Sequence, residues 1–364
     1  LGLAILSGTL DGSMALPMQF ASRWRWENIW LVYSIFGMVL IPWGVASITL
    51  SNTLQIYEQS PHEALWAAFG FGAGWGIGSL LFGTGITLVG MSLGYALVVS
   101  LTAVNGALIP LIVLNPEKLG TFQGKMIFLA LGVLLVGISL CSLAARRRKS
   151  EKPLLVRERT RFGLGLLACI SAGFFSPMLN FAFAFGAPVS QTALSLGASK
   201  MGASIALLNL TMFAGFLPSA AYCIYLLNKN RTWNEFFLAN TASHWFYGFM
   251  MGLPSLGAFL VYGIATIYLG AIGPVLGWPV YMGMVIVTAN IWGFARGEWR
   301  GSDLKTYVYL CSGICAIIAA GEGIQSSQPP IGVDFEHGAI VSVRAAGRSR
   351  AVETAIAPLY QPVG

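Results

Sequence analysis

The sequence predicts an all-α integral membrane protein of ten transmembrane helices arranged as two inverted five-helix repeats. Three observations carry that prediction. Hydrophobic residues make up 56% of the 364-residue chain, charged residues only 10%, and the mean hydropathy is +0.71. A soluble domain carries about 25% charged residues, so this chain has too few to clothe a water-facing surface, which excludes a soluble enzyme, a disordered protein and a nucleic-acid binder. Second, the net charge of +7 sits in short segments between apolar runs rather than in a basic domain. Third, the residues on either side of one basic segment echo each other.

A span needs about 20 mostly apolar residues. Ten such runs lie at about 1–21, 29–50, 64–89, 91–114, 123–144, 163–186, 201–228, 243–269, 275–295 and 305–322. The first run opens at Leu1 and reads as a span rather than a cleavable signal peptide; it carries Asp11 and Pro17. The second carries Pro42, the third the glycines Gly70–Gly78, and the fourth Asn105 and Pro110. The fifth ends in Arg146-Arg147-Arg148-Lys149. The sixth contains Asn180, the seventh Asn209 and Pro218, the eighth His244, Pro254 and Tyr262. The ninth contains Trp278 and Asn290, and the tenth Cys311, Cys315 and Glu322. Prolines inside spans kink helices and free carbonyls for a hinge or a ligand. Domain organisation follows: a first five-helix repeat at 1–144, a basic linker at 145–162, a second repeat at 163–322, and a tail at 323–364 that is rich in proline, lacks a long apolar run and is expected to be disordered.

Lys and Arg set the orientation. With the 145–162 loop in the cytoplasm and the spans alternating, fifteen basic residues face the cytoplasm, against Lys118, Lys125 and Lys200 outside, with three arginines in the tail. Both termini are then expected outside, in a bacterial inner membrane.

The halves match in order. Pro17-Met18-Gln19-Phe20-Ala21 in span one answers Pro177-Met178-Leu179-Asn180-Phe181-Ala182 in span six. Phe82-Gly83 answers Tyr262-Gly263. Gly90-Met91-Ser92-Leu93-Gly94 followed by Asn105 answers Gly273-Pro274-Val275-Leu276-Gly277 followed by Asn290. An odd number of spans per repeat inverts the second half, and inverted repeats around a midplane site are the architecture of secondary transporters.

Few residues offer chemistry. The run from Gly70 to Gly78 lacks the strand and the acidic residue of a dinucleotide loop; Gly70, Gly74 and Gly78 instead make a smooth stripe for close helix approach. Acids inside spans are costly. Asp11 lies mid-span beside Gly8, Gly12 and Ser13, where water or a partner helix can reach it. It is either a protonatable group in a transport cavity or one end of an interhelical hydrogen bond. Glu322 reads as a solvated helix end. Trp75, Asn105, Asn180, Gln191, Asn209, Tyr262, Trp278 and Asn290 combine amides for hydroxyls with aromatic platforms, the set that suits a neutral polyol; the same types also bridge helices and form interface belts. Gln191 falls at or just past the end of span six. His244 reads as interfacial, and Cys311 and Cys315 as small packing residues on one helix face. With no Walker motif, H-E-x-x-H or Cys/His cluster, no cofactor or metal is expected.

Several segments resemble the L-rhamnose–proton symporter family of the drug/metabolite transporter superfamily: Trp26-Glu27-Asn28-Ile29-Trp30 with Ile41-Pro42-Trp43, then Trp75-Gly76-Ile77-Gly78, Phe82-Gly83 and Gly90–Gly94, then Ala187-Pro188, Leu196-Gly197 and Glu298-Trp299. The resemblance covers about residues 5–322 and is most specific from Trp75 to Gly94. It implies ten helices in two inverted halves, alternating access, and sugar uptake driven by protons. The chain departs from that pattern at polar positions. Gln19 and Phe20 stand where the family has basic residues, Thr87 where it has arginine, Gly186 and Gln191 where it has lysine and glutamate, and Asp11 where it has a small residue.

The expectation is a proton-coupled secondary transporter of a sugar such as L-rhamnose, with Asp11 as the proton-coupling group and Trp75, Asn180, Tyr262, Trp278 and Asn290 lining the midplane cavity. The expected partners are a small polar substrate, a proton and the lipid bilayer, in a monomer or homodimer. An exporter of a small amphipathic metabolite is the alternative and would show a cavity lined mainly by Phe, Met and Leu. An intramembrane enzyme would need a convergent titratable set for which the spans hold too few groups.

Overall fold

The computed structural model describes residues 1–89, 91–148, 159–239 and 241–326. The middle of the basic linker and the tail from 327 onward lie outside them. Among the described residues every regular element is helical.

Prolines decide where several helices break. Helix α1 (Gly2–Ser13) stops at Met14–Leu16, and the chain resumes as a 3₁₀ turn at Pro17–Phe20. Pro17 has no N–H for the Ser13 carbonyl, so the α-helical ladder cannot pass this point unbroken. Helix α2 (Trp26–Ile35) passes through a wide π-type turn at Phe36–Leu40 into α3 (Ile41–Thr49). The turn lies directly before Pro42, and the Ile41 N–H reaches back five residues to the Phe36 carbonyl. A short α4 (Thr53–Gln59) leads to α5 (His62–Val89), then α6 (Met91–Leu114) and α7 (Phe122–Arg148). The second half begins with α8 (Arg159–Phe175), which breaks at Ser176–Pro177 and continues as α9 (Met178–Phe185). Helix α10 (Ala187–Ser195) follows and includes Gln191, so that residue is helical and exposed rather than in a loop. Then come α11 (Lys200–Asn230), whose first turn is capped by the Ser199 hydroxyl accepting from the Gly202 N–H, α12 (Ala242–Leu269), α13 (Gly273–Ala295) and α14 (Leu304–Ser326).

Eight helical stretches among the described residues are long and apolar enough to cross a membrane. One of them, Ala242–Ala295, is 54 residues long and joins α12 to α13. Helix α1 is too short to count among the eight.

The packing is layered around the broken helices. α1 lies against α12 and α13, and α8 against α5 and α6. α11 lies against α2, α3 and α5, and α7 pairs with α14. The glycine run of α5 serves two neighbours rather than making one stripe. A Cβ at Gly72 or Gly76 would strike the α11 backbone at Thr211 or Gly215, while one at Gly78 would strike the backbone at the α8–α9 break and one at Gly74 the Met178 sulfur. Gly70 is exposed with open space around it and takes no part. Residues two apart point to opposite sides of a helix, so Gly72 and Gly76 face one neighbour and Gly74 and Gly78 the other; Gly70, although in register with the second pair, meets no neighbour. Cys311 and Cys315 are also not packed; both are exposed on α14. Glu322 is exposed near the end of α14.

The connecting segments meet in two groups. Arg25 pairs with Glu235, which also accepts from the Trp24 indole at its carbonyl (2.7 Å). Arg23 donates to the Ala239 carbonyl, and its N–H to His244 Nε2. Glu27, buried at the start of α2, accepts from Asn230 Nδ2 (2.8 Å) and the Thr232 hydroxyl (3.1 Å). Arg147 pairs with Asp303 at 3.1 Å. At the other end of α11, Lys200 sits 3.5 Å above the Tyr268 ring, and the Tyr57 hydroxyl donates to the Ala206 carbonyl.

Asp303 caps α14. The Thr306 hydroxyl and N–H and the Arg147 guanidinium hold its carboxyl down at about 2. A depressed carboxyl contributes stability that is complete above its ordinary value near 3.8 and is lost as pH falls through about 2. Thermal unfolding in detergent is therefore expected to show an acid-side loss between about pH 4 and 2 that is smaller in Asp303→Ala. An identical acid profile in the variant would remove Asp303 from the account.

Candidate functional site

Asp11 is placed by two glycines. Gly8 and Gly12 lie one turn apart on α1, and a Cβ on Gly8 would strike the Tyr281 carbonyl of α13, one on Gly12 the Thr288 side chain and the Val285 carbonyl. Without those side chains the α1 and α13 backbones approach closely. The approach brings the Tyr281 hydroxyl to Asp11, to which it donates at 2.7 Å. Ser7 anchors the same helix to α12 by donating to the Ala258 carbonyl at 2.8 Å, and the Trp292 indole donates to Ser13 Oγ at 2.9 Å. Asp11 is partly exposed, and among the described residues it has no ion-pair partner. The Tyr33 and Tyr95 side chains, from α2 and α6, are close enough to feel its charge. A carboxyl with hydroxyl neighbours, some solvent access and no fixed countercharge can exchange a proton without breaking a salt bridge.

The second centre is a reciprocal clamp between α6 and the broken α8–α9 helix. Pro110 has no N–H to offer the Gly106 carbonyl, and Asn180 Nδ2 donates there instead at 2.8 Å. Pro177 likewise leaves the Gly173 carbonyl without its helical donor, and Asn105 Nδ2 fills that place at 3.3 Å. Asn180 Nδ2 also reaches the Pro274 carbonyl (3.0 Å), and its Oδ1 accepts from the Tyr262 hydroxyl (2.6 Å). The Trp278 indole donates to the Thr102 carbonyl at 2.9 Å, lying so close to α6 that a Cβ on Gly106 would collide with it. The rings of Tyr262, Trp278 and Tyr281 touch, with centroids 5.1 to 5.8 Å apart.

Of the expected site residues, Asn180, Tyr262 and Trp278 thus form one cluster that reaches Asp11 through Tyr281. Their relative exposures are 0%, 1% and 2%, so in this conformation a solute does not reach them. Trp75 is partly buried and packs edge-on to Phe259, one turn from Tyr262 on α12. Asn290 lies apart, nine residues beyond Tyr281 on α13 and hence about 13 Å along the helix. Its Nδ2 donates to the Ile286 carbonyl, and it lines a cavity of ≈ 190 Å³ with Tyr95, Ser142, Glu298 and Trp299. Ile138, Cys141, Ala145, Ile286 and Ala289 make the rest of its lining mostly apolar.

Sequence reasoning missed Tyr281 and the use of Asn105 and Asn180 as proline partners. The second was detectable: each proline stands four residues after the glycine whose carbonyl it leaves unpaired. Tyr281 carried no local signal.

The sequence model described as L-rhamnose-proton symport protein matches residues 5–326. Among curated proteins, the chain is 25% identical over 313 residues to an L-rhamnose-proton symporter of Yersinia pestis strain Pestoides F, covering 84% of this chain and 90% of that protein. It is 26% identical over 311 residues to an L-rhamnose-proton symporter of Salmonella dublin, with the same coverage of each.

Proposed function

The chain belongs to the L-rhamnose-proton symport protein family, and from that premise we propose that it carries L-rhamnose or a closely similar neutral sugar into a bacterial cell together with a proton, by alternating access. The observation that carries the reading is the match across nearly all the membrane-embedded chain, joined to a titratable carboxyl, Asp11, held within a span. Both relatives are bacterial, which favours the inner membrane. Membership in a symport family sets the enzyme reading aside.

Ten crossings in two inverted five-helix halves fit the packing. The 54-residue stretch Ala242–Ala295 is more than twice the roughly 20 residues of one crossing and turns at Gly270, whose φ is +66. α1 with Pro17–Phe20 makes a first crossing broken at its proline, as α8 with α9 makes a sixth. If spans one to five correspond in order to six to ten, the packing of α1 on spans eight and nine answers that of α8 on spans three and four. The contacts Arg25–Glu235 and Arg147–Asp303 join segments that the charge bias assigns to the cytoplasm, and Lys200–Tyr268 joins outer ones.

In the mechanism Asp11 takes a proton from the outer side, and sugar hydroxyls meet the amides and rings of Asn180, Tyr262, Trp278 and Trp75 once the halves part. Asn290 lines the cavity toward the cytoplasmic ends of α7 and α13. The close seams at Gly72, Gly76 and Gly78 let α5 slide on its neighbours. The test is to add L-rhamnose to de-energised cells making the protein and record external pH. Sugar-dependent alkalinisation is expected, because each sugar that enters takes a proton with it. No pH change, with the protein verified in the membrane, would sink rhamnose–proton symport.

A further inference from the structure

Two helices are broken by proline, and a side-chain path joins them. It starts at Asp11, one turn before the α1 break, and passes through the Tyr281 hydroxyl at 2.7 Å. The Tyr281 ring lies 5.3 Å from the Tyr262 ring, with Trp278 against both. The Tyr262 hydroxyl then donates to Asn180 Oδ1, three residues past Pro177 in the second broken helix. We propose that Tyr281 is the positioning residue through which the protonation of Asp11 reaches the broken helix of the second half. This rests on the reading of Asp11 as the coupling group.

The physical step is simple. A proton from water adds to the Asp11 carboxylate, forms one O–H bond and cancels its charge; nothing leaves Tyr281. A hydrogen bond to a charged acceptor is roughly twice as strong as one between neutral groups, so protonation weakens the hold on the Tyr281 hydroxyl. The ring is then free to shift, and its neighbours Tyr262 and Trp278 are packed too tightly to ignore a shift. Tyr262 donates to Asn180 Oδ1, so its displacement pulls directly on α9. Tyr281 on α13 bonds Asp11, and Tyr33 on α2 and Tyr95 on α6 lie near enough to feel its charge. α12 offers Ser255, which is bonded to Tyr33, and then Tyr262. Of these tyrosines, Tyr281 is the one that both bonds Asp11 and touches the ring bonded to Asn180.

The test places 3-fluorotyrosine at position 262 in the full chain, purified in detergent, and follows its fluorine resonance over about pH 5–7.5, below the ionisation of the fluorinated phenol, which the fluorine draws down from tyrosine's value near 10. The resonance is expected to titrate with a single midpoint in the otherwise unchanged protein. Asp11→Asn should abolish the titration because no proton binds. Tyr281→Phe should abolish its amplitude too, although Asp11 and the ring packing remain. No titration in the unchanged protein, or full amplitude in Tyr281→Phe, would overturn the proposal. Should Tyr281→Phe fail to fold, 3-fluorotyrosine at 281 with Tyr262 unaltered replaces it: a resonance that titrates, and stops doing so in Asp11→Asn, supports the link, and one that never titrates overturns it. Because the readout needs no sugar, it can fail while L-rhamnose still drives alkalinisation, and the reverse, so the two readings fall separately.

Discussion

Asp11→Asn is expected to abolish proton-driven accumulation of sugar while sugar still exchanges across the membrane. Asn has the same shape, and its Oδ1 can accept the Tyr281 hydroxyl as the carboxylate does, so the α1–α13 contact survives. What it cannot do is carry a proton. A potential of 100 mV supplies about 2.3 kcal/mol per charge, which at about 1.4 kcal/mol per tenfold is a roughly 50-fold accumulation for one proton per sugar. The variant should fall to a ratio of about one, measured as labelled L-rhamnose retained by energised vesicles. Counterflow in preloaded vesicles should persist. Accumulation at the unmutated level would show that Asp11 is not the coupling group.

Asn180→Leu is expected to lower thermal stability in detergent substantially and to remove transport with it. The Gly106 carbonyl would lose the donor that stands in for the N–H missing at Pro110, and the Tyr262 hydroxyl would lose its acceptor. Interhelical hydrogen bonds in membranes average only about 0.6 kcal/mol, because the separated helices find other partners. Here that escape is closed for Gly106, since Pro110 denies it a partner in its own helix as well. Two stranded buried groups at about 1–2 kcal/mol each give a loss of about 2–4 kcal/mol. Adding Pro110→Ala, which restores the local N–H, should recover part of it, and such non-additivity is the mark of a shared partner. If Asn180 served only as a sugar ligand, Asn180→Leu would raise KM and leave the melting temperature alone.

Much of this protein is legible in the order of its residues. Hydropathy over 20 residues is a local property, so the apolar runs coincide with the helices that α5, α6, α7, α11, α12, α13 and α14 become. The breaks at Pro17 and Pro177 are local too, because a missing N–H acts four residues back. The basic residues were legible as short clusters between the apolar runs, and two of them, Arg25 and Arg147, pair with Glu235 and Asp303 of distant connecting segments. The glycines of α5 were visible as a close-packing run, but which of them met which helix was not: Gly72 and Gly76 turn to α11, Gly74 and Gly78 to the α8–α9 break, and Gly70 to none.

The candidate site was legible only as a set of residue types. Asp11 stood out because a carboxyl in a span is costly wherever it lies. Its partner did not, because Tyr281 is one of 12 tyrosines and lies 270 residues away. Asn180 looked like a hydroxyl-binding amide, and the structure gives each of its side-chain polar atoms a protein partner. Hydropathy, charge and backbone chemistry act over a few residues, so the order of residues alone marks the apolar runs, the breaks at Pro17 and Pro177, and Asp11 as an acid inside one of those runs. It takes the folded chain to bring Asp11 to Tyr281 and Tyr262 to Asn180, and to set the rings between them in contact. The Asp11–Tyr281 pairing depends on how closely α1 and α13, from opposite ends of the chain, approach, and that distance is set by Gly8 and Gly12 acting on residues far away in the sequence.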